Sequence, residues 1–301
     1  MNNKKTPTVT LGMPVYNGEN YLENTLDSIL AQTYTDFELI ITDNASTDRT
    51  QEICEAYAAR DSRIRYIRNA ENLGAAPNYN LSFQLAAGKY FKWVAHDDPN
   101  APTCIELCVQ MLESHPDAIL SYARTILIDE DDQVIEYHQD RYDLQSRHPH
   151  ERLYKYFHET SAWCHPVFGL IHTDVLAKTG LIGSYASSDK TLLAEMAVLG
   201  KCYEVPAHLA YRRLHPKNST EANKTDEAMA SWFDPRIKRA FLTPRWRRFL
   251  EHLKSVQRAN IPLIDKIRCY GVIFAFYLSP GRVAGVTKDM GQLGKALRRL
   301  F

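Results

Sequence analysis

The chain has 301 residues, 45% of them hydrophobic and 24% charged, which suits one or two folded domains with a sizeable core and excludes a disordered or collagen-like polymer. Its formal net charge of zero divides unevenly: residues 231–301 carry 15 Lys and Arg against 4 Asp and Glu, leaving 21 against 32 in residues 1–230. Such a basic tail is expected to meet something anionic, whether a membrane surface, an acidic partner or the body of the protein itself, and nothing in it points to nucleic acid.

In chain order, Val9 to Val15 reads as a strand closed by Pro14 and the turn residues Asn17-Gly18. Tyr21, Leu22, Leu26, Ile29 and Leu30 then share one face of a helix reaching Gln32. The unit repeats. Phe37 to Thr42 is a strand ending at Asp43-Asn44, followed by a helix to about Ala59 that Ser46 or Thr47 can cap. Ile64 to Ile67 is a third strand, Ala76 to Ala87 a helix stopped by Gly88, and Tyr90 to Ala95 a fourth strand running into His96-Asp97-Asp98-Pro99. This alternation predicts an α/β fold with a mostly parallel central sheet covered by helices on both faces, whose ligands bind beyond the carboxyl ends of the strands. Beyond residue 115 the alternation loosens, with a strand over Ala118 to Leu127, an acidic turn at Asp129 to Asp132 and a histidine-rich stretch to His150.

From Asp226 the pattern becomes basic and helical. Trp246, Phe249, Leu250, Leu253 and Val256 form an apolar face, with Arg245, Arg247, Arg248 and Lys254 pointing away. Residues 1–225 are therefore expected to form the main domain, with halves at 1–115 and 116–225, and 226–301 a helical extension.

The cysteines are scattered and no signal peptide is evident, so reduced thiols and a cytoplasmic location are expected. Cys104 and Cys108 lie four apart on a helix with no second pair at zinc-site spacing, which favours buried structural cysteine. The longest uncharged apolar run, Cys269 to Leu278, is about half of the roughly 20 residues a membrane-spanning helix requires.

Chemistry concentrates at the strand ends. Asp97 and Asp98, just past the fourth strand, suit Mg²⁺ or Mn²⁺, which prefer oxygen ligands and are commonly shared with phosphates; the competing reading of Asp98 is a helix cap. Asp43 ends an earlier strand on the same edge, where a carboxylate can accept from a base or ribose, or simply make a turn.

Four segments then resemble family 2 glycosyltransferases, inverting enzymes with a Rossmann-like GT-A fold: Met13 to Glu19, Asp43 to Asp48, Asn72-Leu73-Gly74 with Asn80, and Gly88-Lys89-Tyr90 leading into Ala95-His96-Asp97-Asp98. The resemblance runs from about Val9 to about Asn218. It implies that Pro14, Val15, Tyr16, Asp43 and Asn72 hold the nucleotide, and that Asp97, with Asp98 beside it, binds the cation. It also implies that Asp189 in Ser188-Asp189-Lys190 is the general base that deprotonates the acceptor, the alternative being a helix cap. In the Tyr211 to Pro216 segment, His215 is a candidate metal ligand and Arg212 (or Arg213) a phosphate partner. Trp163 and His165 are candidate acceptor contacts, with core packing the alternative for Trp163. The chain departs from the family pattern at Ala95, where an aspartate is usual, at Tyr79, where an arginine is frequent, and at Ser188, where the usual Glu-Asp pair is reduced to Ser188-Asp189.

The resulting expectation is a hexosyl- or N-acetylhexosaminyl-transferase using Mn²⁺ or Mg²⁺ and a nucleotide-sugar donor, a UDP-sugar above others. Its acceptor would be a glycan or lipid-linked hydroxyl in cell-surface polysaccharide synthesis. A nucleotidyltransferase is disfavoured because Pro14 to Glu19 is neither glycine-rich nor basic. A scaffold that has lost catalysis is the non-enzymatic alternative. For the tail, peripheral attachment to an anionic inner membrane face competes with packing on the body or on a second subunit.

Overall fold

The computed structural model describes residues 6–161, 163–236, 244–285 and 287. Strand β1 (Val9–Val15) has no exposed residue, as expected of a strand with neighbours on both edges and cover on both faces. Its Val9, Leu11 and Met13 pack with Leu22, Leu26 and Ile29 of helix α1 (Leu22–Leu30). There follow β2 (Phe37–Asp43), α2 (Thr50–Arg60), β3 (Ile64–Arg68), α3 (Ala75–Gln84), β4 (Tyr90–Trp93) and α4 (Cys104–Ser114). The second half contains β5 (Ala118–Ile128), β6 (Val134–His138), α5 (Pro149–Glu159), a 3-10 turn at His165–Phe168, β7 (Leu170–His172), α6 (Thr173–Leu176), α7 (Ser188–Leu199) and β8 (Lys201–Arg213). Helices α8 (Ser219–Ala222), α9 (Asp226–Phe233), α10 (Pro244–Arg258) and α11 (Leu263–Tyr277) complete it.

The eight strands form one sheet in the order β3-β2-β1-β4-β7-β5-β6, with β8 on the other edge of β5. Pairs β3-β2, β2-β1, β1-β4 and β5-β8 are parallel, while β7 joins β4 and β5 antiparallel to both and β6 adds antiparallel to β5. The expected parallel half is present. Helix α2 begins at Thr50, later than a cap at Ser46 or Thr47 requires, because both hydroxyls face other groups; Asp48 Oδ1 instead accepts from Thr50 N at 3.0 Å. Cys104 and Cys108 are buried on α4 within the core.

The amphipathic tail helix has its partners inside the chain. Phe249 and Val256 of α10 and Cys269, Ile273 and Tyr277 of α11 join Leu153 of α5 and Ala194 and Val198 of α7 in one apolar cluster. Arg258 forms a two-pronged pair with Glu195 of α7 at 3.0 and 2.9 Å. Arg248, expected to face away, is half-buried, and its charge acts on His252, Tyr156 and Tyr277. Among the described residues no helix is long and apolar enough to cross a membrane.

Candidate active site

The ends of three parallel strands set out the site. Asn44 N donates to Val15 O at 2.9 Å and Val94 N to Gly12 O at 2.9 Å, so the loops after β2, β1 and β4 leave the sheet on one edge. Pro14 and Val15 are buried there and Tyr16 is exposed. Asn17 enters the left-handed region at φ 52° and its side chain accepts from Thr47 N at 2.8 Å, tying the β1 and β2 loops together. Gly18 lies so near the β4 loop that a Cβ would stand 2.5 Å from His96 Cδ2.

Asp43 is fully buried. Its Oδ1 accepts from Ser46 N at 2.9 Å, and its Oδ2 accepts from Tyr66 Oη at 2.7 Å and lies 3.4 Å from Arg68 Nε. Asn72 Oδ1 accepts from Asn44 Nδ2 at 2.7 Å and from Gly74 N at 2.9 Å, and Gly74 takes φ +89° to begin α3. Tyr66 and Arg68 were not identified from the sequence. The signal available was register, since β3 ends beside β2 with Arg68 opposite Asp43.

Asp97 and Asp98 are both buried but have different partners. Asp97 Oδ2 lies 2.9 Å from His215 Nε2. Burial opposes its charge, yet His96, the His215 contact and Arg212 outweigh that and hold the carboxyl well below the usual range. Asp98 Oδ2 accepts from Arg212 Nη1 at 2.8 Å and its Oδ1 from Arg213 N at 2.8 Å. Burial raises the Asp98 pKa, Arg212 pulling the other way. Asp98 caps no helix, the residue before α4 being Thr103. Its two oxygens are engaged by β8, which leaves Asp97 and His215 as the converging pair.

That pair suits a divalent cation: a carboxylate oxygen and an imidazole nitrogen, both buried and within hydrogen-bond distance, just past a strand end.

Strand β8 supplies the other half of the site. Arg212 keeps partial exposure and is held charged by Asp98 against its burial. Arg213 is buried and structural. Its guanidinium donates to Asp97 O at 3.1 Å, to Asp129 O at 3.1 Å and to Asp132 Oδ1 at 2.7 Å, and lies over the Tyr21 ring at 4.5 Å. The acidic turn seen in the sequence is therefore an anchor for Arg213. Tyr79, where the family favours arginine, donates no charge; burial and then Asp97, with Asp98 and Asp189 adding and Arg212 opposing, push its phenol above the usual range and keep it protonated.

Asp189 sits in the first turn of α7, whose cap position is Ser187 at φ 62°, and its Oδ1 accepts from Lys190 N at 2.8 Å. Its charge acts on Cys164 and on Tyr79. Trp163 is 45% exposed and stacks on His165 at 5.3 Å with the planes 24° apart, so it is not core packing. His165 lines a narrow cavity, of about 30 Å³, together with Ala95, Asp98 and Arg212.

A model of the family Glycosyl transferase family 2 matches residues 10–180. The chain is 30% identical over 175 residues to an uncharacterized glycosyltransferase of Methanocaldococcus jannaschii, covering 57% of this chain and 58% of that one. It is 38% identical over 107 residues to an uncharacterized glycosyltransferase of Rickettsia prowazekii, covering 36% and 32%. The matches thus span less than two thirds of these curated relatives. Among solved structures, TarS 1-349 of S. aureus in complex with UDP-GlcNAc superposes with a TM-score of 0.65 at 14% identity, covering 94% of this chain and 80% of that one. A Pyrobaculum calidifontis mannosyltransferase in complex with GDP-Man and Mn²⁺ gives 0.56 at 15% identity, covering 98% and 76%. These likenesses bear out the expected fold class, a mixed α/β sheet of the GT-A glycosyltransferase type with helices at the carboxyl end. With more than half of its length matched, the chain belongs to glycosyl transferase family 2.

Proposed function

We propose that this chain transfers a sugar from a nucleoside-diphosphate donor to an acceptor hydroxyl, with inversion at the anomeric carbon and with a divalent cation at Asp97 and His215. The observation that carries the reading is the Asp97–His215 contact of 2.9 Å at the end of β4, with Arg212 alongside. A cation bound there, Mn²⁺ or Mg²⁺, would neutralise charge on the departing diphosphate. Arg212 adds a fixed positive charge on the same side. The loops bearing Tyr16, Asp43 and Asn72 hold the base and ribose, and the protonated Tyr79 phenol offers a donor without adding charge.

Asp189 takes the acceptor proton, and Trp163 gives the acceptor sugar an exposed face on which to stack. The attack is a single displacement, so no enzyme nucleophile is needed. A UDP-sugar is the favoured donor, in keeping with the UDP-GlcNAc bound by TarS; the GDP-Man and Mn²⁺ of the mannosyltransferase support the class of donor and the cation. A glycan or lipid-linked acceptor in cell-surface polysaccharide synthesis completes the reading. The deciding experiment incubates the protein with a panel of nucleotide sugars, with and without Mn²⁺, and follows nucleoside diphosphate release. Cation-dependent release from one donor is expected. Neither release nor cation-dependent nucleotide binding with any donor would leave a binding scaffold instead.

A further inference from the structure

We infer that His138, Asp140 and His165 form a second metal site, separate from Asp97 and His215, which takes a Zn²⁺-like cation and fastens the Trp163 wall to the edge of the sheet. The three residues come from different parts of the chain: His138 ends β6, Asp140 follows it, and His165 opens the 3-10 turn. One ligating atom from each lies within 4.8 Å of the others. His165 Nδ1 is 2.9 Å and His138 Nε2 3.9 Å from Asp140 Oδ1.

The site is built, and its inner atoms lack partners. The Asp140 side chain is 1% exposed and that of His165 10%. Asp140 Oδ1 and both ring nitrogens of His165 receive no hydrogen bond, the short His165–Asp140 approach being misaligned for one. A buried carboxylate oxygen left in that state is costly unless a cation or an aligned donor meets it.

The surrounding groups orient the ligands as carboxylates and hydroxyls do around metal-bound histidine. Glu136 Oε1 is 2.9 Å from His138 Nδ1, which directs Nε2 inward. Thr125 Oγ1 donates to Asp140 Oδ2 at 3.1 Å and leaves Oδ1 for the cation. Ser161 Oγ, 2.9 Å from His138 Nε2, is displaced on binding or replaced by water as the fourth ligand. Two imidazoles and one carboxylate favour Zn²⁺ over Mg²⁺, and small side-chain rotations bring the atoms to the roughly 2.0–2.1 Å that zinc requires. A surface cavity of about 380 Å³, lined by Glu136, His138, Glu159 and Ser161 among others, gives an entry path.

The consequence is positional. Trp163 stacks on His165, and Lys92 of β4 donates to the Phe168 carbonyl at the other end of the turn, so a cation on His165 would fix the Trp163 end of a segment whose far end Lys92 already holds.

The test is titration of the metal-stripped full-length protein with Co²⁺ in excess Mg²⁺, followed by visible absorption. One equivalent with the strong bands of a four- or five-coordinate site is expected in the wild type and in Asp97→Ala, with at least tenfold weaker binding in His165→Gln and Asp140→Asn. Glu136→Gln, at an exposed surface side chain and so without risk to folding, should weaken binding by about tenfold. Absence of the bands in the wild type, their loss in Asp97→Ala with retention in His165→Gln, or no effect of Glu136→Gln would each overturn the assignment.

Discussion

His215 Nε2 stands 2.9 Å from Asp97 Oδ2 across 118 residues of chain, joining the loop after β4 to the residue two places beyond β8. Either side chain alone would be a weak ligand. Asp97→Ala should therefore abolish the Mn²⁺ dependence of nucleotide binding, and His215→Ala should weaken cation-dependent binding by roughly tenfold or more. Calorimetry with UDP, with and without Mn²⁺, measures both; unchanged Mn²⁺ dependence in Asp97→Ala would remove it from the site.

Asp98 gives the opposite outcome. Its removal leaves the largely buried Arg212 unpaired and Arg213 N without its acceptor. Asp98→Ala should cost about 3 kcal/mol in urea unfolding, within the range for breaking a buried ion pair. Loss of cation binding at full stability would reverse the roles given to the two aspartates.

Gly18→Ala tests how closely the β1 loop must approach the β4 loop. The added methyl would fall 2.5 Å from His96 Cδ2 and 2.8 Å from Val15 Cγ2, pressing on the residue before Asp97. A stability loss of about 1–3 kcal/mol is expected, with a fall in kcat/KM. Wild-type kinetics would show that the loop gives way freely.

The packing of the tail on the body carries a pH signature. His252 is buried, 3.1 Å from the Tyr277 hydroxyl, and burial followed by the charge of Arg248 lowers its pKa from 6.5 to about 3. The folded value lies below the unfolded one, so the fold excludes the protonated ring. This contribution is fully present above pH 6.5 and is lost as pH falls from 6.5 towards about 3, by up to about 1.4 kcal/mol per pH unit. Urea unfolding of wild type and His252→Phe across that window should give a shallower acid slope for the variant. Equal slopes would show that His252 does not control it.

Membrane attachment, if the tail provides it, now points to α11 instead of the Trp246 helix. Leu263, Ile267 and Phe274 are 73%, 55% and 44% exposed, and Leu278 just beyond is 64% exposed. Flotation with anionic liposomes should fall at least severalfold in a Leu263→Glu, Ile267→Glu protein whose thermal melting is unchanged. Equal flotation would dispose of the idea.

The parallel half of the sheet was legible because each strand is a short apolar run ended by its own turn residues, as at Val15-Tyr16-Asn17 and Asp43-Asn44. Asp97 was a candidate from the paired carboxylates at the strand end and His215 by resemblance, yet nothing local in the chain states that they touch. That contact depends on β8 pairing with β5, a non-local event without a sequence signature. The same holds for Arg213, whose partners Asp97, Asp129 and Asp132 belong to two separate loops, and for Tyr66 and Arg68, which reach Asp43 only through strand register. Arg248 was misplaced because helical periodicity orders residues around an axis without saying how wide the covered face is.

The pairing of β8 with β5 also bears on how the protein is made. Synthesis proceeds from the amino terminus, so the segment that carries Asp97, Asp43 and the β1 loop emerges well before Arg212 and His215. Until β8 docks, Asp97 lacks His215 and Asp98 lacks Arg212, and a nascent chain that already owns the β1 and β2 loops would still lack the proposed cation site. On the proposed reading, nucleotide and cation would engage together only when both halves are joined, so donor capture would be a property of the finished molecule and partly synthesised chains would have no means of sequestering it.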